Sequence, residues 1–104
     1  MGYRIFRHPD VERDLNGIVD LIVEFAGVET ADKKLSQIEQ TINRLTETPH
    51  IGTIRDDIFP GLRAIPTARK GVICFVLDDE EQAVYIVSLS YAGADWLSRV
   101  GSRI

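Results

Sequence analysis

The chain has 104 residues, 44% hydrophobic and 27% charged, with a formal net charge of −4. That length builds one hydrophobic core rather than two, and the composition excludes a disordered or fibrous chain. The acidic balance argues against direct nucleic-acid binding, which needs Lys and Arg to displace condensed counterions.

Tyr3–Arg7 is short, rich in β-forming residues and reads as a first strand. His8-Pro9-Asp10 then opens a helix, since Pro is tolerated where the N–H has no intrahelical partner. Asp10, Glu12 and Asp14 suit the positive end of its dipole. Val11, Leu15, Ile18, Ile22 and Phe25 recur at helical spacing and form one apolar stripe. Gly27 is placed to end this helix in a left-handed conformation, and Thr30 to cap a second one. The second stripe is Ala31, Leu35, Ile38, Ile42 and Leu45. So short a connection makes the two helices an antiparallel pair whose stripes need a further surface to cover.

Thr48-Pro49 ends the second helix, because a residue before Pro resists the α conformation. His50–Pro60 reads as a loop. Leu62–Thr67 reads as a strand in which Pro66 marks an edge. Val72–Leu77 is continuously apolar, as in a central strand covered on both faces. Asp78–Gln82 is a polar turn. Ala83–Ser90 is a further strand, with Tyr85, Val87 and Leu89 expected on one face and Val84 and Ile86 on the other. Ala94–Val100 reads as a short helix carrying Trp96 and Leu97. The order β-α-α-β-β-β predicts an α+β fold: an N-terminal strand and an antiparallel helical hairpin packed on a small antiparallel sheet, one domain over residues 1–104. Where the first strand joins is left open.

The residues supply little reactive chemistry. His8 reads as a helix-start residue and His50 as a loop residue. Cys74 has no partner for an internal disulfide and reads as a small buried thiol. One Cys and two distant His do not make a zinc site. No phosphate-cradling GxxxxGK[ST] and no GxGxxG occurs. Asp78-Asp79-Glu80-Glu81 reads as a solvated turn, lacking the spacing and Gly of a calcium loop. No catalytic residue, metal or cofactor is therefore assigned. The longest apolar stretch is too short to span a bilayer, and residues 1–7 lack the core of a signal peptide. Together with the cysteine usage, this predicts a cytoplasmic protein without a membrane partner.

Four segments, taken in order, carry a resemblance. They are Leu45-Thr46-Glu47-Thr48-Pro49-His50-Ile51-Gly52, Gly61-Leu62-Arg63, Gly71-Val72-Ile73-Cys74-Phe75-Val76-Leu77 and Val84-Tyr85-Ile86-Val87-Ser88-Leu89. The chain resembles the RelE/ParE toxin superfamily over nearly its whole length, and the ParE branch most. The resemblance implies a plasmid-stabilisation type of toxin, held inactive by a cognate antitoxin in a hetero-oligomer. The ParE branch implies inhibition of DNA gyrase by binding. The RelE branch implies a ribosome-dependent mRNA endonuclease.

Metal-free RNA cleavage needs a group to activate the 2′-hydroxyl and cations for the phosphorane. Arg63 is followed on its face by Ile65 and Thr67. Cys74–Leu77 carries no Arg, and residues 88–96 carry neither His nor Arg. These departures favour the gyrase inhibitor over the endonuclease. A non-toxic relic that retains antitoxin binding is the third alternative. Candidates for target or antitoxin contact are Arg63, Arg69, Lys70, Tyr91 and Trp96. Arg63 offers a guanidinium to a carboxylate or phosphate, or a stem covering the sheet. Arg69 and Lys70 occupy a turn, Tyr91 ends a strand, and Trp96 is either an anchor or a lid. The Pro66 edge, or an apolar groove, offers a place for a disordered antitoxin tail.

Overall fold

The computed structural model describes residues 2–104. The chain enters as β1 (Arg4–Arg7) and turns at His8, whose Nδ1 accepts from the Asp10 amide at 3.0 Å. Helix α1 (Val11–Ala26) and helix α2 (Val28–Arg44) follow with one residue, Gly27, between them. Gly27 has φ 88° and ψ 169°, open to glycine but hostile to a side chain, and its carbonyl accepts the Ala31 amide at 3.1 Å. The reversal is thus tighter than the expected left-handed cap, and Thr30 lies inside α2 rather than capping it.

The remaining elements are β2 (Thr53–Ile54), β3 (Leu62–Thr67), β4 (Gly71–Asp78), β5 (Ala83–Tyr91) and α3 (Trp96–Arg103). The strands form one five-stranded sheet in the order β1-β5-β4-β3-β2. β3, β4 and β5 are the expected antiparallel meander. β1 instead lies parallel to β5, so the sheet is mixed rather than antiparallel. Its direction is set by where the hairpin carries the chain, and four residues of strand do not encode that. β2 arises within the stretch expected as a loop; it is two exposed residues paired with Ala64 and Arg63.

Pro66 is accommodated by alternation. The Leu62 carbonyl accepts the Arg55 amide on the β2 side, and Ala64 and Pro66 share that parity. β2 stops opposite Ala64, so the missing N–H of Pro66 faces an open stretch of edge. Among the described residues, the edge expected there is covered only from Leu62 to Ala64.

The two sheet faces carry two cores. On one, Val11, Ile18 and Ile22 of α1 and Ala31, Ile38 and Ile42 of α2 meet Ile73, Phe75, Val84, Ile86 and Leu89. On the other, Leu62, Cys74, Val87 and Val100 pack with Trp96 and Ile58. Simple alternation places Leu89 with Tyr85 and Val87, but Leu89 faces the hairpin. Cys74 pairs with Ser88 and Phe75 with Ile86, which leaves Val87 as an extra residue. This bulge resets the phase of β5, and Leu89 rejoins Ile86 and Val84.

Past Ile86, β5 has no strand beside it on the β1 side among the described residues, since β1 pairs with Ala83–Ile86. Side chains take over the backbone groups there. Arg103 Nη1 donates to the Val87 carbonyl at 3.0 Å, and Arg99 Nη1 to the Leu89 carbonyl at 2.6 Å. The Leu89 amide donates to Asp14 Oδ2 at 3.0 Å. Arg103 Nη2 reaches the other oxygen, Asp14 Oδ1, at 2.8 Å. Burial alone would raise the Asp14 carboxyl. The hydrogen bonds from Arg103 and Leu89, with the charges of Arg103 and Arg99, outweigh it and hold the group below the usual carboxylate range.

Among the described residues, no helix is long and apolar enough to cross a membrane.

Asp14→Ala leaves the Arg99 and Arg103 guanidiniums without their buried carboxylate and the Leu89 amide without an acceptor, and should cost about 3 kcal/mol in urea denaturation at neutral pH. The sign of the pH dependence follows from the lowered folded-state pKa. The Asp14 contribution is whole above the unfolded value of about 3.9 and is lost as pH falls through the folded pKa, so wild type and variant should converge in acid. Burial pushes the Cys74 thiol up to about 11. An aromatic disulfide reagent near pH 8 should therefore leave the folded chain unmodified and titrate one thiol once the chain is unfolded.

Candidate functional site

At the end of the sheet where the β3–β4 turn and the end of β5 meet, the hairpin overhangs and opens a groove of ≈ 480 Å³. The last turns of α1 supply Leu21, Ile22 and Phe25, and the first turns of α2 supply Thr30 and Lys34. Arg69 and Lys70 enter from the β3–β4 turn, and Tyr91 from the end of β5. Three of the five sequence candidates are thereby brought together. Phe25, the last member of the α1 stripe, was expected in the core. It lies past the packed part of the helix, 78% exposed at the groove.

The backbone at this end is held in costly conformations. Among the described residues, four non-glycine residues have positive φ, and three of them are here: Ala68 (49°), Arg69 (68°) and Ala92 (56°). Each costs on the order of 1 kcal/mol relative to ordinary backbone. The two turns are tied together, the Ala92 amide donating to the Lys70 carbonyl at 3.0 Å. Gly71 is required beside them, because a Cβ there would lie 2.8 Å from the Thr67 carbonyl oxygen. The result is a fixed frame from which Arg69 and Lys70 flank Tyr91.

The charge distribution around this frame is uneven. Arg7 is paired with Glu39, Arg55 with Asp57, and Arg99 and Arg103 with Asp14. Among the described residues, Lys34, Arg69 and Lys70 have no acidic partner within 4.0 Å. Three uncompensated cations therefore rim an apolar floor in a chain of net charge −4. No carboxylate and no imidazole lines the groove. Such a surface can hold an apolar group and attract carboxylates, and its titratable side chains are those of Lys34, Arg69, Lys70 and Tyr91.

The other two candidates lie elsewhere. Arg63 is half-buried on β3, beside a cluster that ties the N-terminal strand to the β4–β5 turn. There Asp79 Oδ1 is 2.7 Å from His50 Nε2 and accepts the Tyr3 hydroxyl at 2.8 Å. Those two hydrogen bonds and the nearby charge of Arg63 hold the Asp79 carboxyl below its usual range. Trp96 begins α3 and packs on the second core, with the Arg55 guanidinium 5.2 Å above its ring. It is a lid on the sheet face away from the hairpin.

Sequence reasoning missed Leu21, Phe25 and Lys34 as site residues. Leu21, one position off the α1 stripe, was the available signal. It also missed an exposed stack on the far sheet face, where Phe6 and Tyr85 lie 5.3 Å apart and the Arg4 guanidinium sits 5.5 Å over Phe6. Among the described residues, no three His, Cys, Asp or Glu side chains converge on a point that would hold a metal ion.

Comparison with known proteins places this architecture. The chain is 37% identical over 60 residues to Toxin ParE3 of Caulobacter vibrioides, a match spanning 58% of this chain and 60% of that relative. Its fold is similar to a structure titled as the chromosomal ParDE toxin–antitoxin system from P. aeruginosa. The TM-score is 0.71 at 21% identity, over 86% of this chain and 96% of that one. It is also similar to a mutant of the E. coli toxin RelE in the free state, with a TM-score of 0.64 at 16% identity, over 100% of this chain and 99% of that one. A third similar fold occurs in the toxin–antitoxin complex RelBE2 from Mycobacterium tuberculosis, with a TM-score of 0.62 at 16% identity, over 88% and 100% of the two chains. The sequence model described as the ParE toxin of the type II toxin–antitoxin system parDE matches residues 5–96, nearly the whole of the helical hairpin and sheet, and the chain belongs to that family.

Proposed function

We propose that this toxin acts by binding and inhibiting DNA gyrase, and that a cognate antitoxin neutralises it by forming a hetero-oligomer with it. The whole of residues 1–104 serves as one domain in this reading, and the setting is the cytoplasm. The observation that carries a binding role is the groove: an apolar floor, a rim of unpaired cations and a rigid backbone frame. Rigid frames of this kind suit recognition, because little ordering is left to do on association. The relatives named as ParDE and RelBE2 are toxin–antitoxin systems, which supports an antitoxin for this chain. Arg69, Lys70 and Tyr91 are the proposed partner contacts. Arg63 and Trp96 are given structural roles, one beside the Asp79 cluster and one over the second core.

An endoribonuclease is the weaker reading. Cleavage through the 2′-hydroxyl needs a base within hydrogen-bond reach. Arg69, Lys70 and Tyr91 sit together, but no carboxylate or imidazole stands with them. His50 is engaged with Asp79 and is not among the groove's lining residues.

Inducible expression of the chain alone in a bacterial host should arrest growth, with filamentous cells and an induced DNA-damage response. The purified chain should inhibit supercoiling by gyrase. Growth arrest with cut transcripts and unaffected supercoiling would overturn the gyrase reading in favour of a nuclease. Good soluble expression with neither effect would leave a non-toxic relic.

A further inference from the structure

We propose that the free chain pairs with a second copy of itself through the hairpin ends, Phe25 of each copy entering the groove of the other. The pair needs no other molecule and is independent of what the toxin acts on.

The end of the hairpin carries a knob and a hole side by side. The tightness of the reversal builds the knob. With Gly27 alone between α1 and α2, Phe25 and Val28 flank the tip at 78% and 62% exposed. A Cβ at Gly27 would meet no heavy atom within 4 Å beyond its chain neighbours, so the tip stands clear of the rest of the fold. The hole is the groove of ≈ 480 Å³, which has room for an aromatic ring beside the residues that line it. Phe25 cannot fill its own groove, because it is part of the wall. The Phe25 ring of a second copy can, lying between Phe25 and Tyr91 of the first, where aromatic faces and edges pack well. A knob and a hole on one surface meet the condition of a two-fold contact. Each copy gives its knob and receives the other's, and the assembly closes at two. The most exposed large apolar side chain among the described residues is thereby covered.

The charges around the two features match in the same way. Glu24 precedes Phe25 and lies three residues beyond Leu21 in α1, and Glu29 follows Val28. Among the described residues, neither glutamate has a basic side chain within 4.0 Å, and Lys34, Arg69 and Lys70 at the groove have no acidic one. Within one copy the two sets stay apart. Across a two-fold axis, an entering Phe25 carries the acidic tip of one copy to the cationic rim of the other. Two chains of net charge −4 repel at long range, but salt of about 0.15 M screens that repulsion beyond about 8 Å and leaves close contacts to decide. A different folded protein has to supply a matching knob and hole of its own, whereas a second copy supplies both by symmetry.

The test is sedimentation velocity of the purified full chain from about 5 µM to about 200 µM in about 0.15 M salt, a range suited to a contact of micromolar strength. Wild type should shift from one chain to two across that range. Phe25→Glu should weaken the association about tenfold or more, while Phe6→Glu on the far sheet face should pair as wild type. Two charge-reversed chains give the sharper check. Glu24→Lys/Glu29→Lys turns the tip against a rim of its own sign, and Arg69→Glu/Lys70→Glu turns the rim against a tip of its own sign. Each alone should stay a single chain. Mixed in equal amounts, the two match at both contacts and should form a heterodimer. All substituted positions are exposed, and circular dichroism with a urea midpoint checks that each variant is folded.

A wild-type chain that stays single up to about 200 µM would overturn the proposal. So would a dimer that Phe25→Glu leaves intact. A dimer broken only by Phe6→Glu would move the contact to the far face and overturn the hairpin pairing. If wild type dimerises but the two charge-reversed chains do not pair on mixing, the exchange of tip and rim is wrong.

Discussion

The fold depends on how the unpartnered half of β5 is closed. β1 covers β5 only as far as Ile86, and the backbone groups beyond it would otherwise face a partly buried edge with nothing to bond. Asp14 from α1 and Arg99 and Arg103 from α3 fill that place, bonding the Val87 carbonyl and both polar groups of Leu89. Three side chains thus do what an additional strand would do. They also tie the first helix, the last helix and the central meander into one network. A half-made network here would be worse than none, since each buried charge relies on the others for its compensation.

The bulge at Val87 belongs to the same arrangement. It shifts the phase of β5 so that Leu89 stays on the hairpin face after the interruption. The Val87 side chain stays on the α3 face, beside Val100. One extra residue therefore gives both sheet faces an apolar lining at the point where the edge changes partner. The two cores are unequal: one is built by two long helices, the other by a single short one and the segment around Ile58. The larger core leaves the end of the hairpin free to project beyond the sheet.

That projection creates the groove. α1 continues past Ile22, so Phe25 has no sheet beneath it, and two strained turns rise to face it. The contrast with the rest of the surface is electrostatic. Elsewhere several arginines are matched by carboxylates or stacked on rings, as at Glu39, Asp57, Phe6 and Trp96. At the groove they are not. An apolar floor with cations at its rim is a surface suited to recognition.

The sequence by itself determined the helical hairpin and the meander, with the strand extents right to within a residue and the second helix starting and ending earlier than expected. These rest on local periodicity, and Ile18, Ile22, Ile38 and Ile42 show their helical spacing without any knowledge of neighbours. The same holds for the strands over Leu62–Thr67 and Val72–Leu77, and the ordered segments from Leu45 to Leu89 were enough to suggest the family. Only the tertiary structure decided the parallel placement of β1, the two-residue β2, the phase reset at Val87 and the Asp14–Arg103 pairing across the length of the chain. Each of these is a long-range contact whose partners leave no local periodic trace. The site divides along the same line. Arg69, Lys70 and Tyr91 were legible as polar or aromatic residues at turn and strand ends. Phe25 was hidden by lying on the α1 stripe, and Arg63 and Trp96 were separated from the rest, because whether a patterned residue is covered depends on how far the sheet reaches beneath it.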